Sequence, residues 1–70
     1  MNHKEEIKYL NVLSSNLKRV RKAKKLTQAD CGVDDRTIRR IENENFNPSY
    51  LTLIQIAKSI DIRLEELFKM

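Results

Sequence analysis

Apolar residues recur along the first third of the chain at Ile7, Leu10, Leu13, Leu17, Val20 and Ala23. Steps of three and four place them on one helix face, and the spacing predicts an amphipathic helix over residues 5–25. Glu5 and Glu6 suit its start, and Lys22, Lys24 and Lys25 suit its end. Ser14, Ser15 and Asn16 interrupt the run with weak helix formers. A break there would leave residues 5–13 as an N-terminal arm, but the unbroken apolar spacing favours one continuous helix. Ile38 and Ile41 then sit three apart in a short helix over 35–43. Leu53, Ile56, Ala57 and Ile60 make the stripe of a helix over 49–60, and Leu64, Leu67 and Phe68 that of a last helix over 64–69. Tyr50, Leu51 and Ile54 cannot all face the same core. With Leu64 and Phe68 they are the candidates for a dimer interface.

The residues between the stripes set the boundaries. Thr27 is a good N-cap, which puts Gln28 in a first helical turn. Gly32 can take the left-handed conformation of a tight interhelical turn. Asp34 is the next N-cap, with Asp35 complementing the positive helix end. Arg36, Thr37, Arg39 and Arg40 project away from the Ile38–Ile41 face. Asn45 tolerates the left-handed conformation and can end this helix, while Pro48 and Ser49 open the next. Arg63 stands where a small cap would help the last helix, so Asp61 is expected to take that role. A short helix held by two isoleucines and presenting three arginines has the form of a major-groove reader.

These stretches resemble the lambda-repressor-like helix-turn-helix family, of the Cro and phage-repressor type. The resemblance is carried by LTQ at 26–28, GVDDRTIRRIEN at 32–43, NPS at 47–49, LTLIQIAKSIDI at 51–62 and LEELF at 64–68. It implies an all-α fold, a small four-to-five-helix bundle, with residues 1–70 as a single domain. One departure stands out. Only Ala29, Asp30 and Cys31 lie between Gln28 and Gly32, short of the family's spacing by about one helical turn. The first helix of the motif is therefore expected as a single turn or as 3₁₀. Cys31 and Val33 are expected to collapse into the space of the absent leucine, in preference to an exchange of helices between subunits.

Composition narrows the field. Seventy residues with a net charge of +4 make one small domain, whose chain buries only about 60% of its unfolded surface. One glycine, one proline and no tryptophan argue against a turn-rich sheet. Residues 17–41 hold nine Lys or Arg against three Asp, whereas residues 42–70 hold five acids and three bases. That asymmetry points to a polyanion-facing side. Cys31 is the one cysteine, which makes neither a disulfide nor a zinc site. His3 reads as a terminal residue, and Met1–Lys4 are expected to fray. The chain carries no phosphate loop and no nucleophile–base pair, so no enzyme and no cofactor is expected, nor a small-molecule ligand. No apolar run of about 18 residues or signal peptide is present, which points away from the membrane and to the cytoplasm and nucleoid.

What the resemblance implies for the site can be stated residue by residue. Asp35, Arg36, Thr37, Arg39 and Arg40 would contact bases of double-stranded DNA. Arginine would read guanine through O6 and N7, and Asp35 would accept from cytosine N4 or hold an arginine in place. Lys24, Lys25, Gln28, Asn43 and Asn47 would contact phosphates. Ile38, Ile41 and Glu42 would be structural, Glu42 through a salt bridge to a base of the first helix. The chain would be a sequence-specific, homodimeric transcriptional regulator, with no choice implied among phage repressor, restriction–modification controller and antitoxin. The alternative is a protein-interaction module or antitoxin-like partner that kept the scaffold with weakened DNA docking.

Overall fold

The computed structural model describes residues 3–70, without the side chain of His3. It contains three α-helices: α1 (His3–Ala23), α2 (Asp35–Glu44) and α3 (Tyr50–Ser59). Two further segments, Gln28–Cys31 and Leu64–Phe68, are 3₁₀ turns. The expected bundle of four to five helices is thus three α-helices and two short turns among the described residues, with no strand. The fraying expected of Met1 and Asn2 lies outside the described residues, as does the side chain of His3; Lys4 is already helical.

α1 is continuous through Ser14, Ser15 and Asn16. The polar residues that weaken it locally are used for tertiary contacts. The Ser14 hydroxyl donates to the Glu42 carbonyl at 2.6 Å. Asn16 Nδ2 donates to the carbonyls of Leu67 at 3.0 Å and Lys69 at 2.8 Å, tying the end of the chain to the middle of α1. The helix stops two residues earlier than expected. Lys25 takes a left-handed φ of 59°, with Leu26 N–H bonded to the Arg21 carbonyl and Lys25 N–H to that of Lys22, both at 3.0 Å. This pair of bonds is a Schellman cap. α3 ends the same way: Asp61 has φ 58°, Ile62 N–H reaches the Ala57 carbonyl and Asp61 N–H that of Lys58. Asp61 therefore ends α3, and does not cap the last segment as expected. Arg63 precedes that 3₁₀ turn with no side-chain cap bond.

The core is one cluster in which Leu13, Leu17 and Val20 of α1 meet Ile38 and Ile41 of α2, Leu53 and Ile56 of α3, and Ile60 and Leu67. Three members of the expected α1 stripe fall outside it: Ala23 is exposed, Ile7 is 39% exposed and Leu10 is half-buried. At about 1.5 Å per residue, α1 is about 31 Å long, close to the 33 Å long axis of the molecule. Its first turns run past the end of the core.

The missing helical turn is closed from within the chain. Cys31 is fully buried in the core cluster and Val33 packs against it. The Asp30 carboxylate accepts from the Thr27 N–H and hydroxyl, both at 2.8 Å, which fastens the 3₁₀ turn. Gly32, at φ 80°, brings its backbone against α3. A Cβ there would lie 1.8 Å from Ser59 Oγ and 2.6 Å from Ser59 Cβ.

Candidate nucleic-acid interface

The site is built on α2, and α2 is built by its two ends and one face. Asp34 Oδ1 accepts from the Arg36 N–H at 2.9 Å, starting the helix. That bond, with the charges of Arg36 and Arg39, holds the Asp34 carboxyl below its ordinary range. Asn45, at φ 52°, ends the helix, and the Arg40 carbonyl accepts from the N–H groups of Asn45 and Phe46. Ile38, Ile41 and Glu42 are buried. At about 100° per residue, Arg36, Arg39, Arg40 and Asn43 then share the opposite face, and all four are exposed. Asp35 and Thr37 flank that face on either side, Asp35 exposed and Thr37 half-buried. None of the three arginines lies within ion-pair distance of a carboxylate among the described residues. Arg40 is not wholly free, because its guanidinium stacks over the Phe46 ring at 4.1 Å from the centroid. The contact is a cation–π pair that anchors the loop after α2 to the helix.

α2 is locked to α1 through a buried ion pair. Arg21 Nε and Nη2 donate to the Glu42 carboxylate at 2.7 and 2.9 Å, and Arg21 Nη1 donates to the Leu26 carbonyl at 2.9 Å. The hydrogen bond to Glu42 raises the Arg21 pKa, against the lowering effect of burial. Glu42 thus has the salt-bridged structural role expected of it. Arg21, counted in the sequence only among the basic residues of the first helix, is an internal residue. Its signal was position: it lies one turn on from Leu17, on the core side.

The residues expected at phosphates divide. Gln28 is half-buried and its Nε2 donates to Glu42 Oε1 at 3.3 Å, so its amide is partly committed within the protein. Lys24 is exposed, with Nζ 3.5 Å from the Asp61 carbonyl. Lys25 is exposed in its left-handed turn. Asn43 and Asn47 are exposed. Of the interface candidates, Tyr50 and Leu51 are 68% and 63% exposed and Phe68 39%, whereas Ile54 and Leu64 are half-buried. Among the described residues there is no His/Cys/Asp/Glu cluster able to hold a metal, and no helix long and apolar enough to cross a membrane. Burial raises the Cys31 thiol pKa, the opposite of an activated cysteine.

Comparison with known protein families finds a match to the model described as helix-turn-helix over residues 17–67, well over half of the chain. No curated protein and no solved structure matches.

Proposed function

Because the chain belongs to the lambda-repressor/Cro-like helix-turn-helix family of DNA-binding regulators, we infer that it binds double-stranded DNA sequence-specifically as a homodimer, with α2 in the major groove. The observation that carries this reading is the outward face of α2. Three guanidinium groups without carboxylate partners stand on a helix whose other face is fixed in the core. Arg36 and Arg39 are the principal base readers, able to bond guanine O6 and N7 in pairs. Asp35, Thr37 and Arg40 complete the base-reading set. Lys24, Lys25, Gln28, Asn43 and Asn47 serve the phosphates, which fix orientation without carrying sequence. A two-fold pair of such readers contacts two half-sites about 34–36 Å apart. In this reading Tyr50, Ile54, Leu64 and Phe68, apolar residues of the C-terminal half away from the basic side, supply the dimer surface.

The test has two parts. Selection from random duplexes should yield a two-fold related site, and affinity for it should fall steeply with salt as counterions are released. Arg36→Ala or Arg39→Ala should weaken that binding by about 1–3 kcal/mol and relax preference at one base pair, with unchanged far-UV circular dichroism. If both variants bind like the parent, α2 is not the reader. The competing reading is a protein-interaction module on the same scaffold. The four-residue 3₁₀ turn in place of a longer helix favours it, and salt-insensitive or absent DNA binding would establish it.

A further inference from the structure

The core-facing stripe of α1 does not stop where the core stops. Leu13 is 2% exposed and Leu10 half-buried, while Tyr9, on the same side one turn earlier, is 44% exposed. Across from them stand Pro48, Leu53 and Phe68, and the space between is an open groove of about 550 Å³. Phe68 also borders a shallow hollow with Tyr50 and Leu64. The apolar surface therefore runs from Tyr9 across Phe68 to Tyr50. This surface includes residues that precede the family match at 17–67.

We propose that a second copy of this chain covers this surface, the first turns of α1 from each protomer lying in the groove of the other about a two-fold axis. The proposal rests on the dimeric reading above for its symmetry, and moves the centre of the contact from α3 to α1. Size supports a whole second copy. A standard interface takes about 800 Å² from each partner, roughly a sixth of the 4877 Å² surface. The molecule measures 33 × 22 × 20 Å, so only a long side offers such a footprint, and α1 lies along one. Charge selects the same side. Residues 17–41 hold nine bases against three acids, and two such surfaces repel one another. The groove side mixes its signs, with Glu6 lining the groove and Glu65 and Lys69 lining the adjoining hollow. An isologous contact needs that mixture to meet its own copy.

The test uses the full chain in sedimentation equilibrium at high micromolar concentration, without DNA, for the parent, Tyr9→Ser, Phe68→Ser and Leu51→Ser. The parent should be a dimer. Tyr9→Ser and Phe68→Ser should each raise the dimer dissociation constant by at least about tenfold, as loss of a buried aromatic anchor does, with far-UV circular dichroism retained. Leu51→Ser, outside the groove, should dimerise like the parent. A monomeric parent overturns the proposal. So does a dimer that withstands the Tyr9 and Phe68 substitutions, or one lost only on Leu51→Ser. Binding to a mixed-sequence duplex, measured on the same samples, separates the two readings. A parent that dimerises through the groove but ignores DNA removes the regulator function and leaves this contact standing.

Discussion

Replacing Glu42 with alanine removes the acceptor on which α1, the first 3₁₀ turn and α2 converge. Arg21, with its side chain 11% exposed, keeps only the Leu26 carbonyl at 2.9 Å. The Gln28 amide loses its 3.3 Å partner. Breaking one side of a buried ion pair destabilises by about 3–5 kcal/mol, because the remaining charge stays desolvated. The surviving Leu26 bond places this case near the lower end of that range. At roughly 0.05–0.15 kcal/mol per residue, a chain of this length has about 4–10 kcal/mol in all, so Glu42→Ala should lose a third or more of it. Urea unfolding followed by far-UV circular dichroism reads the change directly. The double variant Arg21→Met/Glu42→Leu should lie within about 1–2 kcal/mol of the parent, since an apolar pair of similar volume often matches a buried ion pair. If Glu42→Ala alone unfolds within about 0.5 kcal/mol of the parent, the range of a surface substitution, the pair is solvated and the reasoning fails.

Gly32→Ala should lower the melting temperature, by about 1–3 kcal/mol in stability, since φ is positive and the new Cβ would meet Ser59 at 1.8 Å. Ser59→Ala should not restore it, because Ser59 Cβ itself stands at 2.6 Å. Restoring the family's turn with Leu-Ala-Glu-Lys between Asp30 and Cys31 is the natural repair if the short motif is a defect. The packing argues the reverse: Cys31 is fully buried and the 3₁₀ turn is fastened by Asp30. The insertion should therefore lower the melting temperature, and a higher one would mean that the short turn is strained. The Asp30 and Asp34 carboxyls are held below the ordinary 3.8, by bonds from Thr27 and Arg36 respectively. A depressed carboxyl stabilises the fold above its unfolded value. That stability goes as pH falls from there through the folded value, so Asp30→Asn/Asp34→Asn should flatten the acid-unfolding curve below about pH 4.

Much of the motif was legible because its signals are local. Gly32 and Asn45 are left-handed, Asp34 and Ser49 cap the helices they precede, and Ile38, Ile41, Ile56 and Ile60 are buried. Each rests on a residue's own conformational preference or on helical spacing. What the sequence did not show comes mostly from partners distant in sequence. The apolar spacing carried the helix through Ser14 and Asn16, but not their bonds to Glu42 and Leu67. Arg21 reads as one more surface base until it is paired. Lys25 gave no warning of its left-handed turn, because lysine does not favour that region and the closing bonds override the preference; Asp61 tolerates it, but its capping oxygen drew the reading to the following segment. At the site, spacing placed Arg36 and Arg39 on the outward face. It did not show that Phe46 holds Arg40 or that Glu42 holds the Gln28 amide.

The tether from Asn16 to the carbonyls of Leu67 and Lys69 also orders events on the ribosome. α1 is made before α2 and α3, yet the turn that closes over its middle comes after both, with Leu67 fully buried in the same core. At about 5–20 residues per second, α1 waits roughly 3–10 s for its cover. During that interval its leucines face solvent or a chaperone. The core closes only once Leu67 has been made, so a ribosome stalled even a few codons short of it holds a nascent chain whose α1 is still bare.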